Sequence, residues 1–276
     1  MAETARLEKN LLLLQARDPG LAAAVRQAPP DPRFVFVSAR NGMSVPALRS
    51  PAGSHPLHSL YDPRQEASRL AESCSGAGCS VVFGLGAGLH VDSMLAEPSL
   101  QSLVVVEKDA GVLRSLMEGA DFSRIFADPR VRIVCGFGEL PGAIAAAWRP
   151  ALVGALKTAS LRAWCDREPE FFRGATAALQ EAVDSVRADY GVQSHFGKRW
   201  FANMIRNLPL LRPAPARPSI SAAAVTGAGP SLDVQAGRLA SARAGSFLLA
   251  TDTSLPALLQ RGIVPDAVLS IDCQIY

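Results

Sequence analysis

Between Ser80 and Trp148 the chain alternates short apolar runs with helical patterns, and this alternation constrains the fold more than any other feature. The runs Ser80 to Phe83, Leu103 to Val106 and Val131 to Cys135 are each too short to be core helices. The segments after them, Leu89 to Ala96, Ala110 to Met117 and Glu139 to Trp148, carry helical periodicity. Near-continuous apolar strands alternating with helices imply βαβ units around a mostly parallel sheet. The pattern returns near the C-terminus, with strands expected at 220–226, 246–250 and 266–271 and helices at 232–242 and 254–261.

Around these units the expected organisation has four parts. Residues 1–62 hold an amphipathic helix at 3–16 and a hairpin, with strands Arg33 to Ser38 and Ser44 to Leu48 joined at Asn41-Gly42. Residues 63–165 form a Rossmann-like domain, which Asp62-Pro63 opens with a helix running to Cys74. A further strand is expected at Leu152 to Leu156. Residues 166–212 form a helical connector of two helices, 168–189 and about 195–208. The run Arg212-Pro213-Ala214-Pro215-Ala216-Arg217-Pro218 cannot continue a helix and marks a domain boundary. Residues 219–276 are a partial second α/β nucleotide-binding domain. The fold class is thus α/β, with a Rossmann-like parallel-sheet N-terminal domain, a helical connector and a partial second α/β domain.

Composition excludes several functions. Apolar residues make up 49% of the 276, ample for a core, and 28 Lys+Arg against 25 Asp+Glu leave no basic excess that calls for nucleic acid. No apolar stretch approaches the ~20 residues of a membrane span, and the start of the chain has no signal-peptide pattern, so a cytoplasmic location is expected. The cysteines Cys74, Cys79, Cys135, Cys165 and Cys273 match no zinc or redox spacing and read as reduced thiols. His55 and His58 flank Pro56-Leu57 in a loop and do not suggest a metal pair. His195 to Phe201, with Arg206, reads as an amphipathic helix whose Trp200, Phe201, Met204 and Leu208 lie in a core.

Two glycine clusters carry chemistry. Gly84, Gly86 and Gly88 lie between a strand and a helix, with Glu107 at the end of the next strand. That is the placement of a dinucleotide or S-adenosylmethionine site, although Leu89 stands where the fingerprint has its third glycine. These four residues form a possible second ligand site, weighed evenly against a packing role for the glycines. In the other cluster, Gly227 and Gly229 let backbone amides face a ligand and Pro230 presets the first helical φ. Ser231 is placed to cap the helix or bond a phosphate oxygen. Asp252 and Asp272 each follow an apolar strand, so three strand ends present polar groups on one edge, the usual ligand crevice of an open α/β sheet.

Several of these stretches resemble the motility-associated factor (Maf) flagellin glycosyltransferases. They are Leu57 to Pro63 with Glu66-Ala67, the glycines 84–88 with His90, Gly227 to Asp233, Gly262 to Asp266, and Ser270 to Asp272. The C-terminal part is also similar to 6-hydroxymethylpterin diphosphokinases, and its Gly-Pro-Ser-Leu element to the nucleotide loop of CMP-sialyltransferases. The Maf resemblance implies a cytoplasmic transferase that moves a nonulosonic acid, such as pseudaminic or legionaminic acid, from a CMP-sugar donor to flagellin or another protein acceptor. It implies no nucleic-acid or membrane partner. Under it, Gly227, Gly229, Pro230 and Ser231 hold the nucleotide phosphate, and Asp252 and Asp272 line the nucleotide and sugar pocket. The family extends beyond the position of Tyr276, so acceptor-side groups and any general base are expected outside this chain, and no catalytic residue or metal ligand is assigned. The diphosphokinase alternative places ATP on the same loop and Mg²⁺ on Asp252 or Asp272. Further alternatives are a flagellin-binding scaffold and, ranked last, a methyltransferase.

Overall fold

A computed structural model describes residues 2–51, 53–210 and 220–270. The chain divides into two units, Met1–Gly191 and Val192–Tyr276. The expected boundary at Arg212 to Pro218 and the site residue Asp272 lie outside the described residues.

The first unit opens with α1 (Ala2–Gln15) and α2 (Pro19–Gln27), then the antiparallel meander β1 (Phe34–Ser38), β2 (Ser44–Ser50) and β3 (Gly53–Pro56). The hairpin turns at Gly42, whose φ of 80° suits glycine. Then follow α3 (Pro63–Glu72), β4 (Cys79–Phe83), α4 (Leu89–Leu95), β5 (Ser102–Glu107), α5 (Ala110–Gly119), α6 (Ser123–Ala127) and β6 (Val131–Cys135). The remaining elements are α7 (Leu140–Ala147), α8 (Pro150–Val153), β7 (Leu156–Ser160), α9 (Arg162–Cys165) and α10 (Pro169–Asn207), the last continuing past Gly191. Asp62 caps α3, accepting from the Arg64 and Gln65 amides, and Pro63 is its first residue.

The main sheet has the order β6-β5-β4-β7, all parallel. Period-two alternation sends its residues to two cores. Val82, Leu103 and Val105 meet Leu11, Met94, Leu113 and Ile125 on one face. Val81, Phe83, Val104 and Val106 meet Leu140, Ile144 and Leu179 on the other. A sheet covered on both faces is the expected Rossmann-like arrangement.

Two expectations are corrected. Leu152 lies in α8, and the strand is β7 at Leu156–Ser160, whose Lys157 and Thr158 are exposed because β7 is an edge. The two expected connector helices are one, α10, with Gly191 and Gly197 inside it.

The second unit contains β8 (Ala223–Thr226), α11 (Ser231–Ala242), β9 (Phe247–Thr251), α12 (Leu255–Leu259) and β10 (Ala267–Leu269), plus a 3₁₀ turn at Asp252–Ser254. Its parallel sheet runs β10-β9-β8, with Thr226 opposite Ala250 and Leu269 opposite Thr251. The core is small: Leu232, Ala236, Leu248, Ala250, Leu258 and Ile263. Gly262, at φ 70°, ends α12 and turns Ile263 into that core. Asp266 accepts from the Leu248 amide and pairs with Arg243, anchoring the start of β10. Trp200, Phe201, Met204 and Leu208, expected in a core, are exposed (38–64%). Periodicity marked their face correctly but does not supply a cover for it.

Candidate nucleotide-binding site

Gly84, Gly86 and Gly88 form the turn between β4 and α4, all with positive φ (89°, 52° and 76°). What they face is the protein itself. A Cβ on Gly84 would stand 2.8 Å from Trp164, one on Gly86 would collide with His58, and one on Gly88 would lie 2.6 Å from Ile125. Glu107 is fully buried. Its Oε1 accepts from the Leu85 amide, and its Oε2 accepts from Trp164 Nε1 at 2.9 Å and from the Lys108 amide at 3.3 Å. The remaining cavity beside Gly84 and Trp164 is about 10 Å³, roughly the space of one water. A nucleotide at this crevice would require the Trp164 indole to leave.

His58 was not singled out by spacing, yet it organises the turn. It is 4% exposed, and its Nε2 accepts from the Ala87 amide at 2.9 Å. The neutral ring therefore carries its proton on Nδ1, which lies 3.3 Å from Glu66 Oε2. Glu66 also accepts from the Ser59 amide at 2.8 Å, and these contacts outweigh burial to hold its carboxyl below the usual range. The Leu57-to-Glu66 motif is thus a brace from the start of α3 to the glycine turn. The advance signal was the resemblance carried by Leu57 to Pro63 with Glu66-Ala67, which holds both partners without saying what they bond.

His90 is fully buried, with Nε2 3.0 Å from the Gly84 carbonyl and its ring 5.8 Å from that of His58. Burial, reinforced by His58, lowers its pKa from 6.5 to about 4. The folded state therefore binds this proton less readily than the unfolded chain. The contribution of His90 to stability is complete above about pH 6.5 and is lost as pH falls through about 4. Glu107 acts with opposite sign. Burial raises its pKa to about 7 against its three N–H donors, so its contribution is complete below pH 4.5 and is lost as pH rises through about 7. In a His90→Gln variant, stability at pH 4.5 relative to pH 7 should rise by about 2 kcal/mol compared with wild type, in which Glu107 works against His90 over the same window, read by denaturant unfolding at the two pH values. An unchanged difference between the two pH values would show that His90 does not set the acid limb.

In the second unit β8, β9 and β10 end at Thr226, Thr251 and Leu269, and Gly227, Asp252 and Ser270 follow at one edge. The register is closed by a side chain: Ser270 Oγ donates to Asp252 Oδ2, while Asp252 Oδ1 accepts from the Thr253 amide at 2.7 Å. These two bonds, Ser270 first, hold the exposed Asp252 carboxyl below its usual range. Nothing lies within 4 Å of a Cβ built on Gly227, and at Gly229 only the Ser231 hydroxyl does, at 3.8 Å. Pro230 is the N-cap of α11 and Ser231 its first residue. Of the two roles open to it, capping is not taken up: the hydroxyl makes no cap bond and is exposed. Asp233, in the first turn, pairs with Arg261 at 2.6 Å. The structure thus brings together Gly227, Gly229, Pro230, Ser231 and Asp252. At the start of α11 the Leu232 and Asp233 amides already bond the Gly229 and Pro230 carbonyls, and Ser231 is the first helical residue, whose amide makes no such bond among the described residues.

Residues 202–276 match the family model described as 6-hydroxymethylpterin diphosphokinase MptE-like. An uncharacterized protein of Treponema pallidum (strain Nichols) is 31% identical over 160 residues, covering 56% of this chain and 76% of that protein. Among solved structures, a Maf glycosyltransferase from Magnetospirillum magneticum AMB-1 matches with a TM-score of 0.48 and 16% identity, over 96% of this chain and 49% of that one. The chain therefore spans about half the length of that glycosyltransferase.

Proposed function

The chain belongs to the family of the Treponema pallidum protein and carries an MptE-like domain, and on that premise we propose that its second unit binds the nucleotide of an activated donor in a glycosyltransferase-like reaction. The donor we propose is a CMP-activated nonulosonic acid, and the acceptor is a hydroxyl of flagellin or another cytoplasmic protein. The observation that carries this reading is the convergence of the open Gly227-to-Ser231 turn and Asp252 on the carboxyl edge of a parallel sheet.

The chemistry fits that placement. Transfer from a CMP-sugar leaves charge on the departing phosphate, which the backbone amides of the Gly227-to-Ser231 turn would receive. The carboxylate of Asp252 suits the hydroxyl and amine donors of a ribose, sugar or base. Asp272, three residues beyond the end of β10, is proposed as a second such group. The acceptor hydroxyl needs a base, and no residue of this chain is assigned to that role.

The description of the family model favours a second reading, diphosphate transfer from ATP. Mg²⁺ there would be held by Asp252 together with the nucleotide phosphates, since Mg²⁺ needs only one or two protein carboxylates. Among the described residues no group of three or more His, Cys, Asp or Glu is placed to hold a metal by itself.

Thermal unfolding separates the two. CMP at about 100 times its Kd should stabilise the folded protein by about 3 kcal/mol, while ATP–Mg²⁺ leaves it unchanged. The reverse result would replace the glycosyltransferase reading by the diphosphokinase one. No shift with either would favour a non-catalytic scaffold.

A further inference from the structure

Ser254, the last residue of the 3₁₀ turn after β9, is fully buried. Its Oγ lies 3.1 Å from the Thr226 carbonyl, 2.9 Å from the Thr251 carbonyl and 3.2 Å from Thr226 Oγ1. Thr226 is the last residue of β8 and precedes Gly227. Thr251 is the last residue of β9 and precedes Asp252. One buried hydroxyl therefore reaches the final carbonyls of both strands that carry the proposed site. A serine has one proton, so its O–H serves the two carbonyls in turn or as a shared bond, and the Thr226 hydroxyl donates to Ser254 Oγ. Ladder pairing reaches Thr226 opposite Ala250 but does not extend to Gly227, so the turn is free of the sheet from that residue on.

We propose that Ser254 and Thr226 are a positioning pair that fixes the Gly227-to-Ser231 turn relative to Asp252 and thereby sets the phosphate affinity of the site. This rests on the nucleotide-binding reading above. Ser254 is 0% and Thr226 8% exposed, so both act through the backbone rather than by touching a ligand. Misplacing the turn by a fraction of an ångström weakens every amide bond to phosphate, while contacts to the nucleoside change less.

The test compares CMP with cytidine by titration calorimetry on the full chain. The Kd of cytidine divided by that of CMP reads the phosphate contribution alone, which a general loosening of the unit would not single out. In Ser254→Ala this ratio should fall about tenfold, the equivalent of one or two lost hydrogen bonds, with cytidine affinity held within about twofold. Thr226→Val, isosteric and compatible with a strand, should move the ratio the same way by a smaller amount. It carries the comparison if Ser254→Ala does not fold. An unchanged ratio in the folded variants, or equal weakening of CMP and cytidine, would overturn the positioning role and leave nucleotide binding intact. If the wild-type chain takes ATP in place of CMP, the same ratio is read with ATP and adenosine. If it binds no nucleotide, both proposals fall together.

Discussion

Trp164→Ala is expected to lower the Tm of the first unit by about 10 °C. The indole is 3% exposed and belongs to the core that contains Val82, Leu103 and Val105. Truncating a buried tryptophan costs roughly 3–5 kcal/mol, and in a unit of this size each kcal/mol moves Tm by about 2–4 °C. The chemistry adds to the volume effect. Without Nε1, Glu107 Oε2 keeps only the long Lys108 amide contact, and a fully buried carboxylate loses one of its donors. Trp164→Phe separates the two parts, since it keeps a ring and deletes the N–H, and it should cost about 2 kcal/mol. Added indole should recover part of the lost Tm in Trp164→Ala by entering the vacated space. A Tm within a degree or two of wild type in the alanine variant would show that the indole does not close this crevice.

Gly227→Val is expected to abolish nucleotide binding, by about a hundredfold or more in Kd, with almost no effect on folding. The two halves of this expectation have different origins. Gly227 has ordinary φ and nothing within 4 Å of its Cβ direction, so a side chain meets no protein atom and stability should stay within about 0.5 kcal/mol. The same open space is where the phosphate is proposed to sit, and valine would fill it. The contrast with Gly86 is direct, because its Cβ would collide with His58 and Gly86→Val should unfold the turn whether or not a ligand is involved. Calorimetry and a thermal melt on the same Gly227→Val sample decide the matter. Retained CMP and ATP affinity would remove the loop from the site.

The sheet was legible because its central strands are buried on both faces, so Val81 to Phe83 and Leu103 to Val106 read as unbroken apolar runs. Legibility failed at the edge, where β7 exposes Lys157 and Thr158 and loses the apolar signature. The junction expected between residues 189 and 195 holds Gly191, a residue that signals a break, whereas the helix continues through it. Of the proposed nucleotide site, the register was accessible from the sequence: three apolar runs of similar length had to end on one edge. Its supports were not. Ser254 bonds a residue 28 positions away, and a lone serine after Asp252 has no pattern to announce it. His58 and Ala87 are likewise 29 positions apart, and Trp164 is 57 from Glu107. Such pairs arise only when the fold brings distant loops together.

The six-residue core of the second unit has a consequence for how occupancy would be seen. Leu232, Ala236, Leu248, Ala250, Leu258 and Ile263 bury little apolar surface, and two of the six, Leu248 and Ala250, lie in β9, which ends at the proposed nucleotide edge. When intrinsic stability is slight, a ligand selective for the ordered form contributes a large share of the total. Filling the site and ordering its scaffold then become a single equilibrium. Amide exchange in β8 and β9 would fall together with the fraction of unoccupied protein, and the backbone itself would act as the reporter of the ligand.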